Sequence, residues 1–167
     1  MILETERLVI RELNSASDAE FICALLNSPK FLEYIGDRGV RTNDEASVFI
    51  ENRYRQSYRD HGFGLYAVEI NGDGTKIGLC GFVRRDTLPG PDIGFAFLPE
   101  FEGQGFGYES AAAMMKFGRD SLGLTTIFAI TSPHNDVSGR LLEKLGFGFE
   151  RIIKSNNESL KLFSSTA

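Results

Sequence analysis

Between Asp92 and Leu122 the chain reads as strand, loop and helix, and the loop carries Gly103, Gly105 and Gly107 at alternate positions. No residue of Gly103-Gln104-Gly105-Phe106-Gly107-Tyr108-Glu109 is a Ser, Thr, Asp or Asn able to cap the following helix with its own side chain. The amide hydrogens of that helix's first turn are therefore left open. Glycine lets the backbone bend and lets a ligand approach with no Cβ in the way. Open amides at the positive end of a helix make an anion site, best filled by a phosphate or pyrophosphate. A glycine loop chosen only for packing is the competing reading. Neither common nucleotide signature is present: Tyr108-Glu109 stands where a P-loop needs Lys-Ser/Thr, and Gly105-x-Gly107-x-x-Ser110 matches a dinucleotide loop imperfectly.

The segments around this loop predict a mixed sheet. Leu3 to Leu13 alternates as one strand. Leu65 to Ile70 and Lys76 to Arg85 form a hairpin across Asn71-Gly72-Asp73-Gly74, and Asp92 to Leu98 follows Pro89-Gly90-Pro91. Short connections allow these strands to pair antiparallel. Thr125 to Thr131 is β-branched and apolar, which suits a buried strand. Phe147 to Ile153 and Ser159 to Phe163 close the chain as a hairpin across Ser155-Asn156-Asn157.

Ser17-Asp18-Ala19-Glu20 and Thr42-Asn43-Asp44-Glu45 read as capping boxes. The first opens a helix with Phe21, Ile22, Leu25 and Leu26 inward. The second opens one with Ala46, Phe49, Ile50 and Tyr54 inward, ending near His61-Gly62. A third helix runs from the glycine loop to about Leu122. A fourth spans Asp136 to Leu145, with Val137, Leu141 and Leu145 as its stripe and Gly146 as its stop. With no repeat or linker, residues 1–167 are expected to form a single domain of α/β (α+β) class: a mixed, mostly antiparallel central sheet of about seven strands flanked by about four helices.

Composition narrows the partners. Eighteen Lys and Arg against 23 Asp and Glu leave a net charge of −5, which offers no basic face to nucleic acid and suits a partner such as an amine. No apolar run is long enough to cross a bilayer and the N-terminus does not read as a secretory leader, so the expected location is cytoplasmic, away from membranes. Cys23 and Cys80 are far apart and His61 and His134 are isolated, so no metal site is expected.

Three blocks in order give the chain a family likeness: Leu3-Glu4-Thr5-Glu6-Arg7-Leu8-Val9-Ile10-Arg11-Glu12-Leu13, Ile93 to Ser110 with Pro99-Glu100-Phe101 and the glycine loop, and Asn135 to Phe147 with Asn-x-x-Ser and Glu143-Lys144-Leu145-Gly146-Phe147. On these the chain resembles the GNAT superfamily, and within it the ribosomal-protein N-terminal acetyltransferase-like branch. Glu102 departs from the pattern, because the family usually places Gln, Arg or Trp before the first glycine. An acid beside a pyrophosphate is unhelpful unless it faces solvent or meets a cation. Gly107 replaces a commoner Ala.

The resemblance implies acetyl-CoA as co-substrate and a division of labour. Gly103, Gln104, Gly105, Phe106 and Gly107 would give amides to the pyrophosphate. The backbone of Phe95, Ala96, Phe97 and Leu98 would pair with the pantetheine arm like an added strand, and an amide there would polarise the thioester carbonyl. Asn135 would contact the pantetheine, although it is equally a helix N-cap. Ser138 would give a proton to the leaving thiolate, unless it is an ordinary first-turn residue.

Direct attack by a neutral amine in a ternary complex is implied, and Cys23 and Cys80 fit no nucleophile arrangement. Glu69 and Asp92 are the candidate bases, acting directly or through water, each with a surface or salt-bridged carboxylate as its competing reading. Tyr66 and Tyr108 are lesser candidates, and Glu109 reads as structural. Acceptor choice is expected from the first two helices, the Gly36-Asp37-Arg38-Gly39 turn between them, and the Lys154 to Glu158 turn. Glu33 and Asp37 are candidates to attract a cationic acceptor, with solvated loop charge as the competing reading. The expected partner is an amine-bearing small molecule or a protein N-terminus, bound by a monomer or homodimer. The alternatives are a non-catalytic CoA-binding module of the same fold, and an enzyme that uses the loop for ATP or NAD.

Overall fold

A computed structural model describes residues 1–167. Its eight strands are β1 (Leu3–Glu4), β2 (Leu8–Arg11), β3 (Leu65–Ile70), β4 (Lys76–Val83), β5 (Asp92–Phe97), β6 (Thr126–Thr131), β7 (Gly148–Ser155) and β8 (Glu158–Thr166). They form one sheet in the order β1-β2-β3-β4-β5-β6-β8-β7. Every neighbouring pair is antiparallel except β5 and β6, which run parallel. The sheet is one strand larger than the sequence suggests, because the opening segment folds back on itself. The Thr5 hydroxyl accepts the Leu8 amide at 3.0 Å and turns the chain, so that Leu3 faces Ile10.

The helices are α1 (Ala19–Leu26), α2 (Pro29–Tyr34), α3 (Asn43–Phe49), α4 (Gln56–His61), α5 (Phe106–Asp120) and α6 (Asp136–Lys144). A π-helical stretch, Ile50–Arg55, joins α3 to α4, so the expected second helix is one rod that stops at Gly62 in the left-handed conformation. Ala46, Ile50 and Tyr54 are its buried stripe. Thr42 accepts the Glu45 amide as expected, while the Glu45 carboxylate reaches the amide of Arg41, one residue outside the box. The sequence reading did not foresee α2, which starts on Pro29 at a first-turn position where proline is favoured.

Two expectations need correction. Ser17 does not cap α1. Asp18 is the N-cap residue, and its carboxylate binds Arg11, Lys76 and the Asn14 amide instead of the helix. In α6, Val137 is 66% exposed while Leu142 is buried. At 100° per residue the stripe set by Leu141, Leu142 and Leu145 is centred on Ser138, so Ser138 turns inward and Val137 outward.

The sheet separates two cores. Leu8, Ile10, Phe82, Ile93, Met114 and Ile127 pack under α5 and α6. On the other face Leu13, Ile22, Leu25, Ile50, Ala67 and Leu79 pack under α1 to α4. Asp18 pins the second layer to the sheet. Its carboxylate is fully buried and receives Arg11 at 2.9 Å and Lys76 at 2.9 Å, while Arg11 also reaches Glu69 at 2.9 Å. Burial opposes ionisation of Asp18, but the hydrogen bonds from Arg11, Asn14 and Lys76 outweigh it and bring the pKa down to about 2. A depressed carboxylate contributes its stability above the ordinary value near 4 and loses it as pH falls through about 2. Asp18→Ala is accordingly expected to cost about 3 kcal/mol at pH 7 by leaving two cations without their partner. Denaturant titrations at pH 7 and pH 3 should show the gap between variant and parent narrowing with acid.

Candidate active site

β5 and β6 touch at one register position, Asp92 opposite Phe128, supported by the Phe128 amide on the Pro91 carbonyl at 3.0 Å. Beyond it the two strands diverge. The Leu98 amide donates to Ile77 in β4, and alternation along an antiparallel pair turns Ala96 and Gly94 the same way. The main-chain groups of Phe95 and Phe97 therefore face the gap. On the far side Ala167 donates to Thr125, which commits Ile127, Ala129 and Thr131 to β8 and leaves Ile130 facing the gap. Of the four residues expected to pair with a ligand arm, Phe95 and Phe97 are so placed. Ala96 and Leu98 spend their backbone on β4.

The gap leads to the glycine loop. Gly103 and Gly105 have φ of 72° and 84°, the left-handed region that side chains disfavour. Gly105 is the N-cap of α5 and offers no side-chain cap. The amides of Gly103, Gln104, Gly105, Phe106, Gly107 and Tyr108 find no acceptor in the protein, so six donors cluster at a helix's positive end. A Cβ on Gly107 would sit 3.3 Å from Leu141, so α6 closes on the loop from one side.

Behind the loop lies a residue the sequence reading passed over. The Arg7 guanidinium donates to the Gln104 carbonyl at 3.0 Å and to Glu109 at 2.6 Å, and lies 4.4 Å over the Phe106 ring. Glu109 also accepts the Thr5 hydroxyl and the Arg7 amide. Burial works against its ionisation, but these donors prevail and hold its carboxyl below the usual range. Glu109 thus fastens the β1–β2 turn to α5. An open hollow of about 490 Å³ beside it is flanked by Arg7 and Lys144. Glu102 is ion-paired with Lys30 of α2, so its charge is met by a cation.

At the closed end of the gap Asp92 is 1% exposed and bonds Arg85 at 3.0 Å. Burial pushes its pKa up to about 6 in spite of that arginine. Asn135 caps α6 by accepting the Ser138 amide at 3.2 Å, while its side-chain NH₂ donates to nothing in the protein. The Ser138 hydroxyl is likewise unengaged. Thr131, 8% exposed at the end of β6, holds the buried side-chain oxygen that has no hydrogen-bond partner. In the register of Asp92 with Phe128 it lies level with Phe95, across the gap.

The remaining candidates lie elsewhere. Glu69 is two strands away from β5 and bound to Arg11. Tyr66 is core, stacked on Tyr58 and pushed up to about 12 by burial. Tyr108 lies under Lys144, 4.5 Å from its ring centroid. Cys80 is fully buried, and burial raises its thiol to about 12. The polar donors are thus gathered along one gap and one loop, where they fit a long ligand with amides at one end and phosphates at the other.

The family model for the acetyltransferase (GNAT) domain matches residues 7–148. The uncharacterized N-acetyltransferase YoaA of Bacillus subtilis (strain 168) is 29% identical over 154 residues, 92% of this chain and 86% of that protein. An acetyltransferase from Agrobacterium tumefaciens str. C58 superposes with a TM-score of 0.83 at 22% identity, over 99% of this chain and 94% of that one. RimL, a ribosomal L7/L12 alpha-N-protein acetyltransferase solved with coenzyme A, superposes with a TM-score of 0.84 at 15% identity, over 99% and 97%. The opened strands and uncapped glycine loop therefore sit in a chain whose sequence carries the same assignment from Arg7 onward: it belongs to the GNAT acetyltransferase family.

Proposed function

We propose that this protein is an acetyl-CoA-dependent N-acetyltransferase that transfers the acetyl group to a primary amine by direct attack in a ternary complex. The observation that carries the reading is the continuity of the β5–β6 gap with six acceptor-free amides at the start of α5. The loop amides hold the pyrophosphate, with Arg7 adding positive charge behind them. Phe95 and Phe97 offer the pantetheine a strand edge, and the Thr131 hydroxyl and Asn135 amide group supply further donors and acceptors along the arm.

In the transfer step the amine nitrogen forms a bond to the thioester carbon as the carbon–sulfur bond breaks. The Phe95 amide stabilises charge developing on the carbonyl oxygen. Asp92, with a pKa near the working pH, takes the proton from the attacking nitrogen. Ser138 passes a proton to the departing thiolate from the inner face of α6. No acyl-enzyme is needed, which accords with a thiol at Cys80 that burial keeps protonated. Glu102 and the lack of an assigned base are the motives for a purely CoA-binding role. The ion pair of Glu102 with Lys30 weakens the first. The base role of Asp92 answers the second only if the pH and substitution tests bear it out. No helix is long and apolar enough to cross a membrane, and the reaction is assigned to the cytoplasm, where acetyl-CoA and amines meet.

Calorimetric titration with acetyl-CoA, ATP and NAD tests the first half of the reading. Micromolar binding of acetyl-CoA alone is expected, and its absence overturns the assignment. Release of free thiol in the presence of an amine panel tests the second half.

A further inference from the structure

The sheet has one long edge. β7 lies outermost beside β8, whereas β1 at the other edge has only two residues. An uncovered edge strand offers its main-chain groups to another chain. Because Ala167 donates to Thr125, the groups of Lys161, Phe163 and Ser165 are committed to β6. Those of Leu160 and Leu162 therefore serve β7, where they meet Ile153 and Arg151. Ile152 and Lys154 are left with N–H and C=O pointing away from the sheet. Ile152 is also 51% exposed, a large apolar side chain on the open edge.

The charges on this edge form a pattern that is its own complement. Glu150 and Lys154 stand two positions either side of Ile152. Glu150 shares the place opposite Phe163 with Phe149 in a bulge, while Ile152 lies opposite Lys161 and Lys154 opposite Ser159. All three side chains thus belong to one face of the sheet. Glu150 meets no cation but its neighbour Arg151, 3.7 Å away, and Lys154 has no acidic partner. Bulges and charges commonly protect an edge from pairing. Here the bulge ends at Glu150, the stretch from Arg151 to Ser155 pairs residue for residue, and the two charges have opposite sign.

We infer that β7 pairs antiparallel with β7 of a second copy of this chain, about a two-fold axis at Ile152. In such a pair the axis passes between one residue and its own counterpart. Axes at Glu150, Arg151 or Lys154 would set like charges directly opposite, which is unfavourable. An axis at Ile153 would leave Lys154 facing Ile152. The axis at Ile152 lets Ile152 exchange both main-chain hydrogen bonds with its counterpart. It also sets Glu150 of each copy against Lys154 of the other, and Arg151 against Ile153. The apolar pair and the opposite charges then favour the same register. One sheet would run through both copies, with β7, β8 and β6 between the axis and each gap, so each copy keeps its own site. The inference does not depend on acetyl transfer.

Sedimentation equilibrium over a concentration series tests it. The parent chain is expected to dimerise, and a monomer at every concentration overturns the inference. Ile152→Pro removes an N–H that bonds nothing within one copy, so circular dichroism should be unchanged while the dimer is lost. A dimer that survives this change lies elsewhere and overturns the inference. Glu150→Lys and Lys154→Glu should each weaken dimerisation roughly 10- to 100-fold by setting like charges opposite. Both changes in one chain should restore it, and an equimolar mixture of the two single variants should form a mixed dimer. These exposed positions keep the test open if the proline variant does not fold. Single variants that dimerise like the parent, or the failure of both rescues, overturn the inference.

Discussion

Asp92→Asn is expected to lower kcat/KM by roughly 100- to 10,000-fold and, at pH 8, to raise the melting temperature. Both effects come from one carboxylate placed where charge is costly. Asp92 is 1% exposed, and burial lifts its pKa from 3.8 to about 6. As a base it is ionised at neutral pH yet close enough to it to accept a proton, so activity should rise with pH through about 6. The variant should lack that limb.

The stability effect has the opposite sign from that of Asp18. A raised carboxylate contributes its stability below the ordinary value near 4 and loses it as pH rises through about 6. At pH 8 the folded chain carries the disfavoured form, eased by Arg85. Asparagine keeps the shape without the charge, and Arg85, partly exposed, is rehydrated. The gain is up to about 3 kcal/mol, or roughly 9 °C, and it should vanish below pH 4. Melting curves and initial rates across pH 4 to 8 decide the matter. An active variant excludes the base role, and a lower melting temperature at pH 8 excludes the account of burial.

Gly105→Glu should weaken acetyl-CoA binding by about 100-fold or more while the fold persists. The position has a φ of 84°, and a Cβ there would lie 3.2 Å from an Arg7 nitrogen. A glutamate would place its own carboxylate among the open amides and beside that guanidinium, occupying the anion site from within. Gly105→Ala separates the two causes, because it adds only the left-handed strain of about 1 kcal/mol and a milder loss of affinity. A folded Gly105→Glu protein with unchanged affinity would remove the phosphate role from this loop.

Features carried by neighbouring residues were legible in the sequence. The glycine loop, the Asn71 to Gly74 turn, the Thr42 cap and the Gly62 and Gly146 stops depend on local backbone chemistry, and the structure has them where the residues put them. Asn135 was open between cap and ligand contact; the structure gives its carbonyl oxygen to the cap and leaves its NH₂ unspent.

What the sequence concealed depends on partners distant along the chain. Arg7 reads as one more residue of an alternating strand until Thr5 reverses the chain and Glu109, 102 positions on, receives it. Asp18 looks like part of a capping box until Arg11 and Lys76 claim its carboxylate. Glu69 was open between a base and a salt-bridged carboxylate; the sequence does not name its partner, and the structure supplies the same arginine. Thr131 had a discernible sign, a hydroxyl at the end of an apolar strand, but its lack of a partner is visible only in three dimensions.

The parallel join between β5 and β6 has a mechanical consequence. With one register position holding them, the sheet is two leaves, β1 to β5 and β6 to β8, with a seam between them. The crossover helix α5 and the cores around it carry most of the connection. A ligand laid in the seam would act as a structural member and complete the missing ladder. Bound acetyl-CoA should then slow hydrogen exchange at Phe95, Phe97 and Ile130 together, on both leaves at once. The protein's resistance to unfolding would rise with the supply of its own substrate.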